Sequence, residues 1–310
     1  MPELETYAVH SPFSDPGPYR SRVAAVPPDP NAISTAAVAV IAHYRGEAAQ
    51  LTDEQVGDVK ARWLPAILDL AADRAPLDDL GEPRPYPHKA GGCCRDHTLF
   101  GVSVLREHGV PARSRIGFES YFEPGWHHDH VVVEWWDGAR WTRFDPEVHW
   151  EVGFDPRDMP TGNGSAFETA AEVWLAHRRD GRDLATYGVD RSLPHLTGPG
   201  FAVGQVFLEL AHRERDEVLL WDVWGAGASG LPDPMRPPGA PTMAPDEAEA
   251  LADEIAALLV AADDDPDADA ELDRRYASDP RLNLSAGVVT LSPDGSIGDV
   301  DLTSRAVAWR

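Results

Sequence analysis

Apolar positions recur at helical spacing along Cys94–His108, at Leu99, Val102 and Leu105, with Phe100 and Val104 beside them. The spacing predicts a helix that ends at Gly109 and Pro111. Three strand-like runs follow: Ala112–Phe122, His130–Trp136 and Arg140–Phe144. Asp137-Gly138 joins the second and third as a hairpin. Upstream, residues 1–31 are rich in Pro and Asp and read as irregular chain. Ser34–Arg45 reads as a helix capped by Ser34 and stopped by Gly46. Thr52-x-x-Gln55 reads as a capping box, with apolar positions continuing through Trp63, Ile67 and Leu70. Downstream, helices are predicted over Ser165–Arg178, Gly200–Glu214 and Asp246–Ala262, with an acidic loop at Asp263–Asp269. Val288–Leu291 and Ile297–Leu302 flank Pro293-Asp294-Gly295 as a final hairpin. Helices, one thiol-headed helix, strands and helices again make an α+β order rather than a βαβ alternation.

Charge and composition narrow the function. The chain has 310 residues, 43% of them hydrophobic, so it can bury a core. Its formal charge of −25 opposes nucleic acid and anionic membranes as partners. The N-terminus lacks the basic start and apolar run of a secretory signal. The longest apolar stretches, Ile33–Ile41 and Ile255–Ala262, fall far short of the roughly 20 residues of a membrane span. The expected compartment is the cytoplasm, where thiols stay reduced. The only two cysteines, Cys93 and Cys94, are adjacent, so they neither clip distant segments together nor make a four-thiolate zinc site.

Cys94 stands where Gly91-Gly92 hands over to a helix. Free N–H groups and the helix dipole there lower a thiol pKa and can hold an oxyanion. Arg95 adds positive charge nearby. This predicts modification of Cys94 well below the ordinary free-thiol pKa of about 8.5. The alternative is a small buried hydrophobe. A nucleophilic thiol needs a base, and His127-His128-Asp129-His130 offers one. His130 opens its strand and Asp145 ends the antiparallel neighbour, which puts both at one sheet edge. Asp145-Pro146 also reads as the start of a turn. His127, His128 and His130 have a rival reading as metal ligands, although no third ligand at a known zinc spacing accompanies them. Otherwise His127 and His128 read as a solvated loop. Asp96 and His97 read as local hydrogen-bonding residues, Asn163-Gly164-Ser165 as a helix-start turn, and Asp263-Asp264-Asp265 as a solvated linker. The tryptophans Trp135, Trp136, Trp141, Trp150, Trp174, Trp221 and Trp224 read mostly as core.

Gly92-Cys93-Cys94-Arg95-Asp96, then Leu105-Arg106-Glu107-His108-Gly109-Val110-Pro111-Ala112-Arg113, then Gly117-Phe118, resemble the transglutaminase-like core. His130-Val131-Val132-Val133-Glu134, Trp141 and Phe144-Asp145-Pro146 continue the pattern in order. The resemblance covers about residues 90–147. It implies a papain-like α+β fold with a nucleophile-bearing helix packed on an antiparallel sheet and flanking helices. It also implies a triad of Cys94 as nucleophile, His130 as base and Asp145 as orienting acid. Cys93 occupies the variable position and receives no catalytic role. Ser11–Gly17 and Leu220–Gly225 are similar to stretches of standalone bacterial transglutaminase-like proteins, a likeness that names no substrate. Val131-Val132 stand where the family often has Ala-Trp, and only Trp63 and Tyr86 offer an upstream oxyanion-hole aromatic.

The expected organisation is an N-terminal segment with helices over 1–75, a catalytic core over 76–160 and a C-terminal helical extension with a terminal hairpin over 161–310. The expected function is cysteine-dependent acyl transfer on an amide or thioester carbonyl, through a thioester acyl-enzyme, without cofactor or metal. The acyl substrate would be a small molecule, a peptide or a carrier-bound group. The alternatives are a non-catalytic binding protein that keeps the fold and a metal-dependent hydrolase built on the His cluster.

Overall fold

The computed structural model describes residues 4–241 and 243–310. The N-terminal region is less irregular than its prolines suggest. It holds two four-residue helices, α1 (Leu4–Tyr7) and α2 (Arg20–Val23). Then come α3 (Pro30–Val40) and a short strand, β1 (Ile41–His43). Asp29, not Ser34, caps α3, its carboxylate accepting the N–H groups of Asn31 and Ala32. Pro30 sits at the first helical position, where its missing N–H costs nothing. Ser34 is interior, and its hydroxyl donates to the Pro146 carbonyl instead. The Thr52–Gln55 capping box forms, but it starts only the short α4 (Asp53–Gly57). The apolar positions beyond it belong to a separate helix, α5 (Leu64–Arg74).

The next strand, β2 (Ala90–Gly92), pairs in parallel with β1 and brings His43 opposite Gly92. This approach requires glycine. A Cβ on Gly91 would lie 1.8 Å from the Gln55 carbonyl oxygen. Gly91→Ala is therefore expected to cost about 3 kcal/mol, the upper end of overpacking, as a lowered urea midpoint. The thiol-headed helix α6 (Cys94–Glu107) follows directly.

The central sheet is built on β3 (Ala112–Glu119), β4 (His127–Trp136) and β5 (Trp141–Phe144). Strand β6 (Phe167–Thr169) pairs with β3, giving the order β5-β4-β3-β6. The predicted helix over Ser165–Arg178 starts later, as α7 (Ala170–Asp180), capped by Thr169. Asn163-Gly164-Ser165 therefore lies ahead of β6 rather than at a helix start. A two-residue strand, β7 (Tyr187–Gly188), adds to β4 in parallel. The C-terminal region holds α8 (Gly198–Arg213), β8 (Asp222–Val223), α9 (Pro245–Ala261) and α10 (Pro266–Ser278). The chain ends in β9 (Val288–Leu291), β10 (Ile297–Asp301) and β11 (Ala306–Trp309). With β8 these form a sheet ordered β11-β10-β9-β8. One apolar cluster runs from Phe13 through α6, α7, α8 and α9 to Val288.

Buried ion pairs tie distant segments to this core. Arg113 and Arg143 stand opposite Glu134 on its two neighbouring strands, and their Nε groups donate to its carboxylate at 2.6 and 2.7 Å. Arg115 adds a third bond at 3.1 Å. Asp263 does not belong to a solvated linker. Its carboxylate accepts from Arg113, Arg115 and Arg213 at 3.0, 2.9 and 3.1 Å. Asp265 caps α10 through the Asp267 N–H, so the acidic run opens a helix rather than a loop. The stretches flanking the core also have structural partners. Ser11 Oγ donates to Glu217, which pairs with Arg106 of α6 at 2.7 Å. Asp222 pairs with Arg62 at 2.6 Å, with both side chains buried.

Candidate active site

The thiol of Cys94 lies in the first turn of α6, behind the N-cap residue Cys93. The Cys93 N–H donates to Asp96 Oδ2 at 2.9 Å, and His97 Nδ1 bonds the Cys93 carbonyl at 3.0 Å. Asp96 and His97 thus hold the helix start. Arg95 does not pair with the Cys94 thiol. Its guanidinium is buried against the Glu217 and Arg62 carbonyls and the Asp96 carboxylate.

His130 is an interior residue of β4, not its first. His127 and His128 continue the strand because they pair with β7, and His128 also pairs with Glu119. They are not a solvated loop. His127 stacks on Tyr187 at 4.0 Å, and His128 Nδ1 bonds Glu119 at 2.7 Å. His130 turns instead to Asp145, with Nε2 2.8 Å from Oδ2. The three histidines are engaged by three different partners. Among the described residues no group of three or more His, Cys, Asp or Glu side chains is disposed to hold a metal ion.

Asp145 follows the last residue of β5, so the hairpin register carries it back beside His130. Its carboxylate is fully buried and fully engaged. Oδ2 accepts from His130 and from the Tyr121 hydroxyl at 2.6 Å, and Oδ1 accepts the Glu147 N–H at 2.8 Å. The last bond is the Asp-Pro turn signature, so this residue starts a turn and faces the imidazole at once. Tyr121 is a site residue the sequence did not single out. It lies just past β3, where strand periodicity no longer says which way a side chain points.

Since Nε2 of His130 is committed to Asp145, Nδ1 is the ring nitrogen that Asp145 leaves unengaged. Cys93, Cys94, His130 and Glu147 line one cavity of about 1300 Å³. Phe122, Trp150 and Trp221 supply aromatic wall, and residues of α8 and of the β8–β10 sheet also line it. Of the tryptophans read as mostly core, only Trp174 and Trp224 are buried; Trp135, Trp136, Trp141 and Trp221 are half-buried and Trp150 is exposed at the cavity. Trp63 and Tyr86 are not part of that wall. Trp63 stacks on Phe13, and the Tyr86 hydroxyl donates to Glu47.

The electrostatics reverse one expectation. The Cys94 thiol is held well above its ordinary pKa by its interaction with the Cys93 thiol, by burial and by the Glu147 and Asp129 carboxylates. Burial and these neighbours act against the acidifying effect of the helix start. Burial also disfavours the His130 imidazolium, but Asp145, then Glu147 and Glu119, push its pKa up to about 9. At neutral pH the site rests as thiol and imidazolium, one proton more than a thiolate–imidazolium pair holds. Alkylation of Cys94 should therefore climb through the alkaline range instead of levelling off below about pH 8.5. Asp145→Asn should lower the His130 pKa from about 9, since only Glu147 and Glu119 would then oppose burial. An NMR titration of the imidazole reads this directly.

Residues 77–146 match the family model of the transglutaminase-like superfamily. That span contains β2, α6, β3, β4 and β5. No curated protein matches the chain. Among solved structures, one from Cytophaga hutchinsonii, described as a "Putative Cysteine Protease", aligns with 15% identity and a TM-score of 0.31. The alignment covers 47% of this chain and spans 43% of that structure's length. The core at residues 77–146, in which a thiol-headed helix leads into an antiparallel sheet, is thus similar to the transglutaminase-like superfamily.

Proposed function

We propose that this protein is a cysteine-dependent acyl-transfer enzyme, with Cys94 as nucleophile, His130 as base and Asp145 as the group that fixes the imidazole. The observation that carries the reading is the 2.8 Å bond from His130 Nε2 to Asp145, on a cavity shared with a thiol at a helix start. Once the extra proton has left the resting pair, the Cys94 sulfur attacks an amide or thioester carbonyl. A C–S bond forms and the π pair moves onto oxygen. Collapse of the tetrahedral adduct expels the amine or thiol, which takes its proton from the His130 imidazolium. Water or an amine, deprotonated by the now neutral His130, then attacks the thioester and releases the acyl group. The outcome is hydrolysis, transamidation or amide synthesis. Asp145 stays ionised and keeps the Nε2 proton in place.

The cavity exceeds the roughly 300–1,000 Å³ of an ordinary small-ligand site. That room favours an extended acyl substrate, whether small molecule, peptide or carrier-bound. Asp129 and Glu147 on its wall disfavour polyanions. The test is iodoacetamide labelling across pH, followed by peptide mapping. Cys94 should label ahead of Cys93, and His130→Ala should slow the reaction at every pH below the thiol's own ionisation. Preferential labelling of Cys93, or an inert Cys94 in folded protein, would sink the assignment.

A further inference from the structure

His43 lines the same cavity as Cys94 and His130, and the chemistry above gives it no part. It ends β1 directly across from Gly92, two positions before the thiol. Its ring is held from behind. The backbone N–H groups of Arg45 and Gly46 both donate to Nδ1, at 3.3 and 3.0 Å. A ring nitrogen that accepts N–H bonds carries no proton, so the single proton of the neutral ring sits on Nε2. The loop that presents it is fixed in turn. Glu47 Oε2 accepts the His43 N–H at 2.7 Å, and the Tyr86 hydroxyl donates to Glu47 Oε1 at 2.6 Å. Nε2 bonds no other described residue and is not among the sealed polar atoms.

Protonating this imidazole would break both bonds to Nδ1. Burial and the charge of nearby His130 also oppose it, and the pKa is held down to about 4. The result is a neutral imidazole, fixed through Nδ1, whose Nε2–H is a free donor on a residue of the cavity wall. Such donors are effective when they point at developing negative charge, because they need no reorganisation during the reaction.

We propose that His43 is a further catalytic residue, whose Nε2–H donates to the carbonyl oxygen of the acyl group as Cys94 attacks it. This rests on the acyl-transfer reading of the site and adds its oxyanion donor, taken from β1 rather than from Trp63 or Tyr86. The other donor is the N-terminal turn of α6. His43 transfers no proton. The ring keeps its Nε2 hydrogen while the π pair moves onto oxygen and returns, and the leaving group's proton still comes from His130.

The test separates acyl addition from simple thiol reactivity. p-Nitrophenyl acetate acylates a thiol through a tetrahedral oxyanion, whereas iodoacetamide alkylates it by displacement with no oxyanion. Each variant is compared at the plateau of its own pH profile, with circular dichroism checking the fold. His43→Phe should slow acetylation of Cys94 about 100-fold, the scale of one lost oxyanion donor. Its iodoacetamide rate should stay within about threefold of the parent. His43→Gln, which keeps an N–H donor at similar reach, should recover about tenfold of the acetylation loss. An equal fall in both reactions would overturn the proposal and make His43 a support for the thiol. Unchanged acetylation in His43→Phe would overturn it as well. Failure of the nucleophile assignment itself looks different, since iodoacetamide would then spare Cys94 in the parent protein.

Discussion

Cys94→Ala is expected to abolish acyl-enzyme formation completely. Intact-mass analysis of the parent protein, treated with p-nitrophenyl acetate near pH 9, should show one added acetyl group, mapped to Cys94. The variant should show none. Removing a covalent nucleophile costs on the order of a million-fold in rate, the largest effect any single substitution here should have. Cys93→Ser is the control. Cys93 caps α6 rather than facing the acyl carbon in the proposed chemistry, and serine is a good cap residue. It should fold and still acetylate at Cys94. The alkaline working pH follows from proton count. His130 carries its proton up to about pH 9 and the thiol is held well above its ordinary value, so the reactive pair is scarce at neutrality. A burst that is already maximal at pH 6 would contradict that electrostatic picture.

The largest effect on stability should come from Glu134→Ala. Glu134 pairs with Arg113, Arg115 and Arg143, all four side chains being nearly inaccessible. Removing it leaves three buried guanidiniums facing each other, with Asp263 as their remaining shared partner. Breaking a buried ion pair from one side costs about 3–5 kcal/mol, and here three pairs share that side. Urea unfolding should show the loss as a lower midpoint with an unchanged slope. The pH dependence has a definite sign. Burial alone would raise the Glu134 pKa, but the three arginines bring it down to about 2. A depressed carboxylate pKa contributes stability that is complete above the unfolded value of about 4.3 and is lost as pH falls through the folded value. The parent should therefore weaken between about pH 5 and pH 2. Glu134→Ala should lack that part of the slope.

These two expectations differ in how far the sequence foretold them. The thiol-headed helix was legible because its apolar spacing is regular and its ends are marked by Gly92 and Gly109. The pairing of His130 with Asp145 was legible because a hairpin of known length fixes which residues return to one edge. Even there, the strand proved longer than its hydrophobic run. His127 and His128 pair with a two-residue strand 60 positions away, and local pattern carries no trace of such a partner. The Asp263 run misled for a similar reason. A stretch of aspartates reads as solvated until three arginines from other elements are folded against it. Arg95 misled in the opposite sense, since adjacency in sequence to Cys94 suggested a partner for the thiol, whereas the fold pairs its guanidinium with the Asp96 carboxylate and two backbone carbonyls.

By itself, then, the sequence determined the thiol helix, the hairpin and the order of Cys94, His130 and Asp145, all features set by short-range periodicity and turn chemistry. Only the tertiary structure decided the protonation of the site, because desolvation and the charges of Cys93, Asp129 and Glu147 act through space on a thiol that the helix dipole alone would have acidified. It also decided that His43 faces the cavity. That position depends on a parallel pairing of β1 with β2, between segments almost 50 residues apart, which the clash a Cβ on Gly91 would meet makes possible only with glycine.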